Sequence, residues 1–131
     1  MNGESERVTQ PTDVNADLQL PVVSDEDMAR ARAASRTYTI ALLKRGPAYR
    51  PPESDPIIRE HARRNFGLRA AGLLSIVCPI SDGTEMAGIG IFDADRPTVE
   101  RIMRGDPAVQ ASVLTYETHV AFSFPGDALP T

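Results

Sequence analysis

The chain has 131 residues, 41% of them hydrophobic and only 5% aromatic, with no Trp. Domains run roughly 100–200 residues, so one domain plus an extension is expected, with a core of Ile, Leu, Val and Ala. The formal net charge of −4 argues against a nucleic-acid partner, which requires a dense positive face. Cys78 is the single cysteine; it excludes an intramolecular disulfide and fits a reducing cytoplasm. No apolar run approaches the ~20 residues of a membrane helix, and the start of the chain lacks the basic-then-apolar layout of a secretion signal. A cytoplasmic protein is expected.

Residues 1–23 are polar, with little to bury, and predict a flexible tail. Ser24 then stands as an N-cap before Asp25, Glu26 and Asp27, so a short helix is expected over 24–36. The compact domain is expected over 37–131. Tyr38 to Lys44 is rich in β-formers and predicts a strand. The three prolines between Arg45 and Pro52 predict a stiff loop. Pro56 at a first helical position, preceded by Ser54 and Asp55, opens a helix that should end near Gly72. Leu73 to Val77 predicts a second strand, Ser81-Asp82-Gly83 a turn, and Met86 to Phe92 a third strand. Arg96 to Arg104 predicts a helix capped by Asp93 or Asp95. Leu114 to Phe124 is the last strand. The order β-α-β-β-α-β is that of an α+β, ferredoxin-like split βαβ unit.

Both helices of such a unit cover one face of the sheet. Yet Tyr38, Ile40 and Leu42 alternate with Thr39, Ala41 and Leu43, and neither set is strongly polar. The third strand repeats the pattern. Sheets buried on both faces have this composition, so a homodimer that covers the second face is expected. On the last strand Glu117 and His119 share one face, opposite Leu114, Tyr116, Thr118, Val120 and Phe122.

At 100° per residue, His61 and Asn65 of the first long helix fall within the apolar arc set by Ile58, Ala62 and Phe66, flanked by Ile57 and Leu68. They lie one turn apart and are neighbours. Polar groups facing a sheet need partners or a wet cavity. Two readings follow: a core histidine satisfied by a backbone carbonyl, or an imidazole that lines a pocket. Asp106, before Pro107, has two readings as well: a turn cap, or a carboxylate that touches the imidazole. Two histidines without close spacing make no metal site, and the glycines form no phosphate-binding fingerprint. Neither a metal nor a cofactor is expected. Arg45, Tyr49 and Arg50 lie on the proline-rich loop, either as solvated residues or as parts of a lid over a pocket.

Several short motifs occur in a suggestive order. They are Leu42-Leu43-Lys44-Arg45-Gly46-Pro47, Glu60-His61, Ala71-Gly72-Leu73, Pro79 with Asp82-Gly83, Gly88-Ile89-Gly90-Ile91-Phe92, and Gly105-Asp106-Pro107-Ala108-Val109. With that spacing, the chain from about Tyr38 to Leu129 resembles the YciI-like (YCII-related) proteins. The resemblance implies a dimeric α/β barrel built from ferredoxin-like subunits. It also implies an acid–base site formed by a helix His and the Asp of Gly-Asp-Pro, here His61 and Asp106. One branch of that family eliminates chloride from a chlorinated hydroxyquinol. The chain departs from the family at Cys78-Pro79 and at Ala111-Ser112, where relatives often have Gly-Pro and Ala-Gly.

The expectation is a cofactor-free lyase or isomerase that moves a proton on a small cyclic or aromatic metabolite, by elimination or tautomerisation. An unperturbed imidazole has a pKa of about 6.5 and can accept a proton near neutrality. His61 and Asp106 are the candidate catalytic pair. Asn65, Arg45, Tyr49, Arg50, Glu117 and His119 are candidate substrate contacts. The alternative is a non-catalytic dimer that binds a small molecule in the same cavity.

Overall fold

The computed structural model describes residues 18–131. The expected tail lies largely outside the described residues. Two compact units divide the chain, the second being Ser35–Thr131. In the first, helix α1 (Asp25–Ala33) starts where Ser24 accepts a hydrogen bond from the Asp27 N–H at 3.0 Å. Asp27 and Arg30 pair along its surface. The helix stops before Arg36, the expected end, because strand β1 (Arg36–Arg45) already begins there.

The second unit continues with α2 (Asp55–Ala70), β2 (Leu74–Pro79), β3 (Met86–Phe92), α3 (Arg96–Arg104), a single-turn α4 (Pro107–Gln110) and β4 (Leu114–Ser123). The fold is α+β, with an antiparallel four-stranded sheet in the order β2-β3-β1-β4. That order and the β-α-β-β-α-β succession are compatible with a ferredoxin-like fold. Among the described residues no helix is long and apolar enough to cross a membrane.

Register explains the two faces. Thr39, Ala41 and Leu43 of β1 stand opposite Phe92, Gly90 and Gly88 of β3 and opposite Val120, Thr118 and Tyr116 of β4. This set faces the helices, and Thr39, Ala41 and Leu43 are buried. Ile40 and Leu42 stand opposite Ile91 and Ile89 on the other face and are only half-buried. Within this unit an apolar sheet face therefore lacks a helical cover.

The two long helices bury their faces differently. Val99 and Met103 of α3 are buried in the core beside Leu74, Phe92, Val113 and Leu114. Helix α3 is further tied to β4, because the Glu100 carboxylate accepts from the Tyr116 hydroxyl at 2.9 Å and from the Thr118 hydroxyl. Helix α2 has no fully buried residue. Ile57, Ile58 and Leu68 pack at the margin of the core. Phe66, assigned by periodicity to the apolar arc, is instead 60% exposed, under the Arg69 guanidinium. A helix that leaves its inner face unfilled stands over a cavity.

Two backbone positions hold this frame in place. Gly72 follows α2 with φ +80°, the left-handed geometry that suits glycine after a helix. Gly46 ends β1 where the chain is clamped: its N–H donates to the Val113 carbonyl at 2.8 Å. A Cβ there would collide with the Ser112 carbonyl oxygen.

Candidate functional site

The cavity under α2 has a volume of about 260 Å³. Its floor is the sheet, with Leu43, Val77, Gly88 and Gly90 among the residues that line it. Its roof is Ile58, His61, Ala62 and Asn65 of α2, and Met103 and Leu114 contribute to the wall. The i, i+3, i+4 spacing of those four α2 residues places them on one stripe. Sequence periodicity located that stripe correctly at His61 and Asn65.

The histidine is not satisfied by a backbone carbonyl. Its Nδ1 lies 2.7 Å from Asp106 Oδ2, with the His61 side chain 15% exposed and Asp106 1% exposed. The other oxygen, Oδ1, accepts from the N–H groups of Ala108 at 2.8 Å and Val109 at 3.4 Å. Asp106 thus has both proposed roles at once: it caps α4 and it holds the imidazole. The local sequence accounts for this. Gly105 ends α3, Asp106 takes an extended conformation (φ −75°, ψ 130°), and Pro107 starts the next turn. The short α4 then packs against α2 and delivers the carboxylate to His61.

Burial pushes the Asp106 carboxyl upward. The His61 hydrogen bond and charge, with the two backbone N–H groups, outweigh it and hold the carboxyl below the ordinary carboxylate range. An ionised Asp106 accepts only, so the Nδ1 of His61 carries a proton. When the ring carries only that proton, the Nε2 lone pair accepts from the Asn65 amide, whose Nδ2 lies 3.2 Å away. His61, Asn65 and Asp106 form one chain of polarity: amide to Nε2, Nδ1–H to carboxylate, carboxylate to α4.

Arg64 is the residue that sequence reasoning missed. At 100° per residue it lies outside the apolar arc, yet its guanidinium reaches Asp106 Oδ2 at 3.8 Å. One nitrogen of that group, Nη1, is buried and has no hydrogen-bond partner among the described residues. The group fits there because Gly105 has no side chain: a Cβ would lie 2.9 Å from Arg64 Nη2. The available signal was the i, i+3 spacing from His61, which makes the two residues neighbours on the helix.

Of the remaining candidates, Arg45 and Tyr49 border the cavity. Arg50 does not line it; its backbone N–H donates to the buried Ser54 hydroxyl at 3.1 Å. Glu117 and His119 lie on the other face of the sheet, opposite Leu42 and Ile40, and pair with each other at 2.7 Å. No protein-family model matches the chain, and no curated protein matches it.

Proposed function

We propose that the Ser35–Thr131 unit is a YciI-like, cofactor-free lyase or isomerase. It moves a proton on a small cyclic or aromatic metabolite by elimination or tautomerisation. The observation that carries this reading is the 2.7 Å contact of His61 with a buried Asp106, at the wall of an apolar cavity. In the proposed mechanism Nε2 of His61 takes a proton from an acidic C–H or an enol. Asp106 holds the ring orientation and stabilises the imidazolium, and the same imidazolium returns the proton to product or leaving group. The apolar walls exclude water, which strengthens each of these charge interactions.

Two copies are proposed to pair through the sheet faces that carry Ile40, Leu42, Ile89 and Ile91, as in a dimeric α/β barrel. Four half-buried aliphatic residues, in two facing pairs on adjacent strands, support this pairing, because a monomer seldom leaves such a patch in water.

The test is deuterium exchange. A panel of ring ketones, lactones and hydroxylated aromatics is incubated with the protein in heavy water, and loss of C–H signal is followed by NMR. Exchange should fall about 10²–10⁴-fold in His61→Asn. One feature favours the second reading, a binding protein: the Asn65 amide already occupies the Nε2 lone pair. Saturable binding with no exchange across the panel would establish that reading instead.

A further inference from the structure

The protein as a whole is acidic, with a net charge of −4, but its cavity is not. Among the described residues, no carboxylate lines the cavity, whereas Arg45 does. Nor does any described carboxylate form an ion pair with Arg45; Asp82 senses its charge only at longer range. The guanidinium instead lies over the Tyr49 ring, 5.0 Å from its centroid. Tyr49 is also a cavity residue. Stacking on an aromatic face leaves the edge of a guanidinium, with its N–H groups, free to receive a carboxylate.

The backbone that carries the clamp is tied to the segment that holds the base. The Tyr49 N–H donates to the Gly46 carbonyl at 3.1 Å, the Ala48 N–H to the Ser112 carbonyl at 3.0 Å, and the Gly46 N–H to the Val113 carbonyl at 2.8 Å. Val113 in turn donates to Ala108 at 2.9 Å, and Ala108 donates to Asp106. One short scaffold, residues 106–113, therefore positions both the His61 carboxylate partner and the Arg45–Tyr49 pair. Tying both backbones to one segment places the two groups at the same cavity.

We propose that the ligand of this cavity is a single-ring or similarly compact monoanion whose carboxylate is bound by Arg45 against Tyr49, while its apolar body lies under α2 and faces His61. The assignment rests on the cavity being the ligand site proposed above, and it adds the charge and orientation of the substrate. Arg45 sets specificity; it takes no part in the proton transfer.

Benzoate and its neutral isostere benzamide are the probes, measured by calorimetry and by amide chemical shifts on wild type, Arg45→Gln, Arg50→Gln and His61→Asn. Wild type should bind benzoate roughly tenfold more tightly than benzamide, with added salt narrowing the gap because the clamp lies at the exposed mouth. Arg45→Gln should abolish that preference, with the melting temperature unchanged. Arg50→Gln should preserve the preference. Equal binding of the two probes by wild type, no benzoate binding at millimolar concentration, or an equal loss in Arg50→Gln would overturn the proposal. His61→Asn keeps the two readings apart. Retained benzoate preference together with lost exchange supports both. Exchange on neutral ring ketones without any benzoate preference leaves the acid–base reading standing and removes the anion clamp.

Discussion

Removing the Asp106 carboxylate tests the site and the fold together. In Asp106→Ala, α4 loses an N-cap that now accepts from two N–H groups, a loss of about 1 kcal/mol. The His61 Nδ1–H is left without its acceptor in a largely buried setting, which adds about 1–3 kcal/mol. A total near 2–4 kcal/mol follows, large against the ~5–15 kcal/mol that holds a domain together. Asp106→Asn is milder, about 1–2 kcal/mol, because its Oδ1 can still cap Ala108. Its Nδ2, however, places a donor against the Nδ1–H of His61. The ring must then protonate at Nε2 and accept at Nδ1, and the base facing the cavity is lost. Urea unfolding of both variants, with His61→Ala and the double variant, measures the pair directly. The expected coupling is about 1.5–3 kcal/mol, as for a hydrogen bond to a charged group. A cost below 1 kcal/mol for Asp106→Ala, or strict additivity with His61→Ala, would falsify the dyad. The pH dependence has a fixed sign. Because the folded carboxyl titrates below its unfolded value, the unfolded chain binds the extra proton as pH falls. The stability due to ionised Asp106 is complete above the ordinary range near 4 and disappears as pH falls through the lower folded value. The difference between wild type and Asp106→Asn should shrink as pH falls through that acidic window.

Ser112 takes φ +60°, so Ser112→Gly should raise the denaturation midpoint, a gain of ~0.5–1 kcal/mol net of unfolded-state entropy. Gly46→Ala should lose at least ~1–3 kcal/mol in the same assay, because its Cβ would meet a backbone oxygen that cannot move aside. The Tyr116 hydroxyl is pushed above the ordinary phenol range, by burial first and then by the Glu100 hydrogen bond and charge; Glu100→Gln should lower its midpoint in an ultraviolet titration. Ile91→Glu, placed on the uncovered sheet face, should shift sedimentation from dimer to monomer with the circular dichroism spectrum retained. A monomeric wild type at micromolar concentration would remove the barrel model.

Local chemistry accounts for what the sequence made legible. Strand β3 and helix α3 begin and end where expected, since Asp95 caps and Pro97 starts the helix with the Asp95 carboxylate accepting from Thr98 at 2.9 Å. Periodicity put His61 and Asn65 on the inner stripe of α2 because spacing along a helix is a local property. It failed for Phe66, which is 60% exposed. The stripe is wider than the sheet contact, so a residue at its edge passes beyond the strands and remains in water. Arg64 and α4 were less visible. Both depend on how one segment meets another: α4 on a cap that serves a distant helix, and Arg64 on the missing side chain at Gly105.

The turn at Ser112 marks where the chain's constraints meet. Ser112 keeps the left-handed backbone that a glycine would adopt more easily, and its carbonyl accepts from Ala48 while lying against Gly46. A glycine at 46 is thus required by the backbone at 112, whichever residue occupies 112. Val113, next in sequence, closes α4 by donating to Ala108, the residue whose N–H caps onto Asp106. Strain at Ser112 is tolerated because this turn is tied on both sides: to the loop that carries Arg45 and Tyr49, and to the helix start that carries Asp106. Relieving it with Ser112→Gly should therefore stabilise the fold while loosening the turn, and the same variant should weaken benzoate binding even as the denaturation midpoint rises. Opposite changes in stability and affinity in one variant are the mark of a strained element that serves a site; parallel changes would make Ser112 a simple turn residue with no bearing on the cavity.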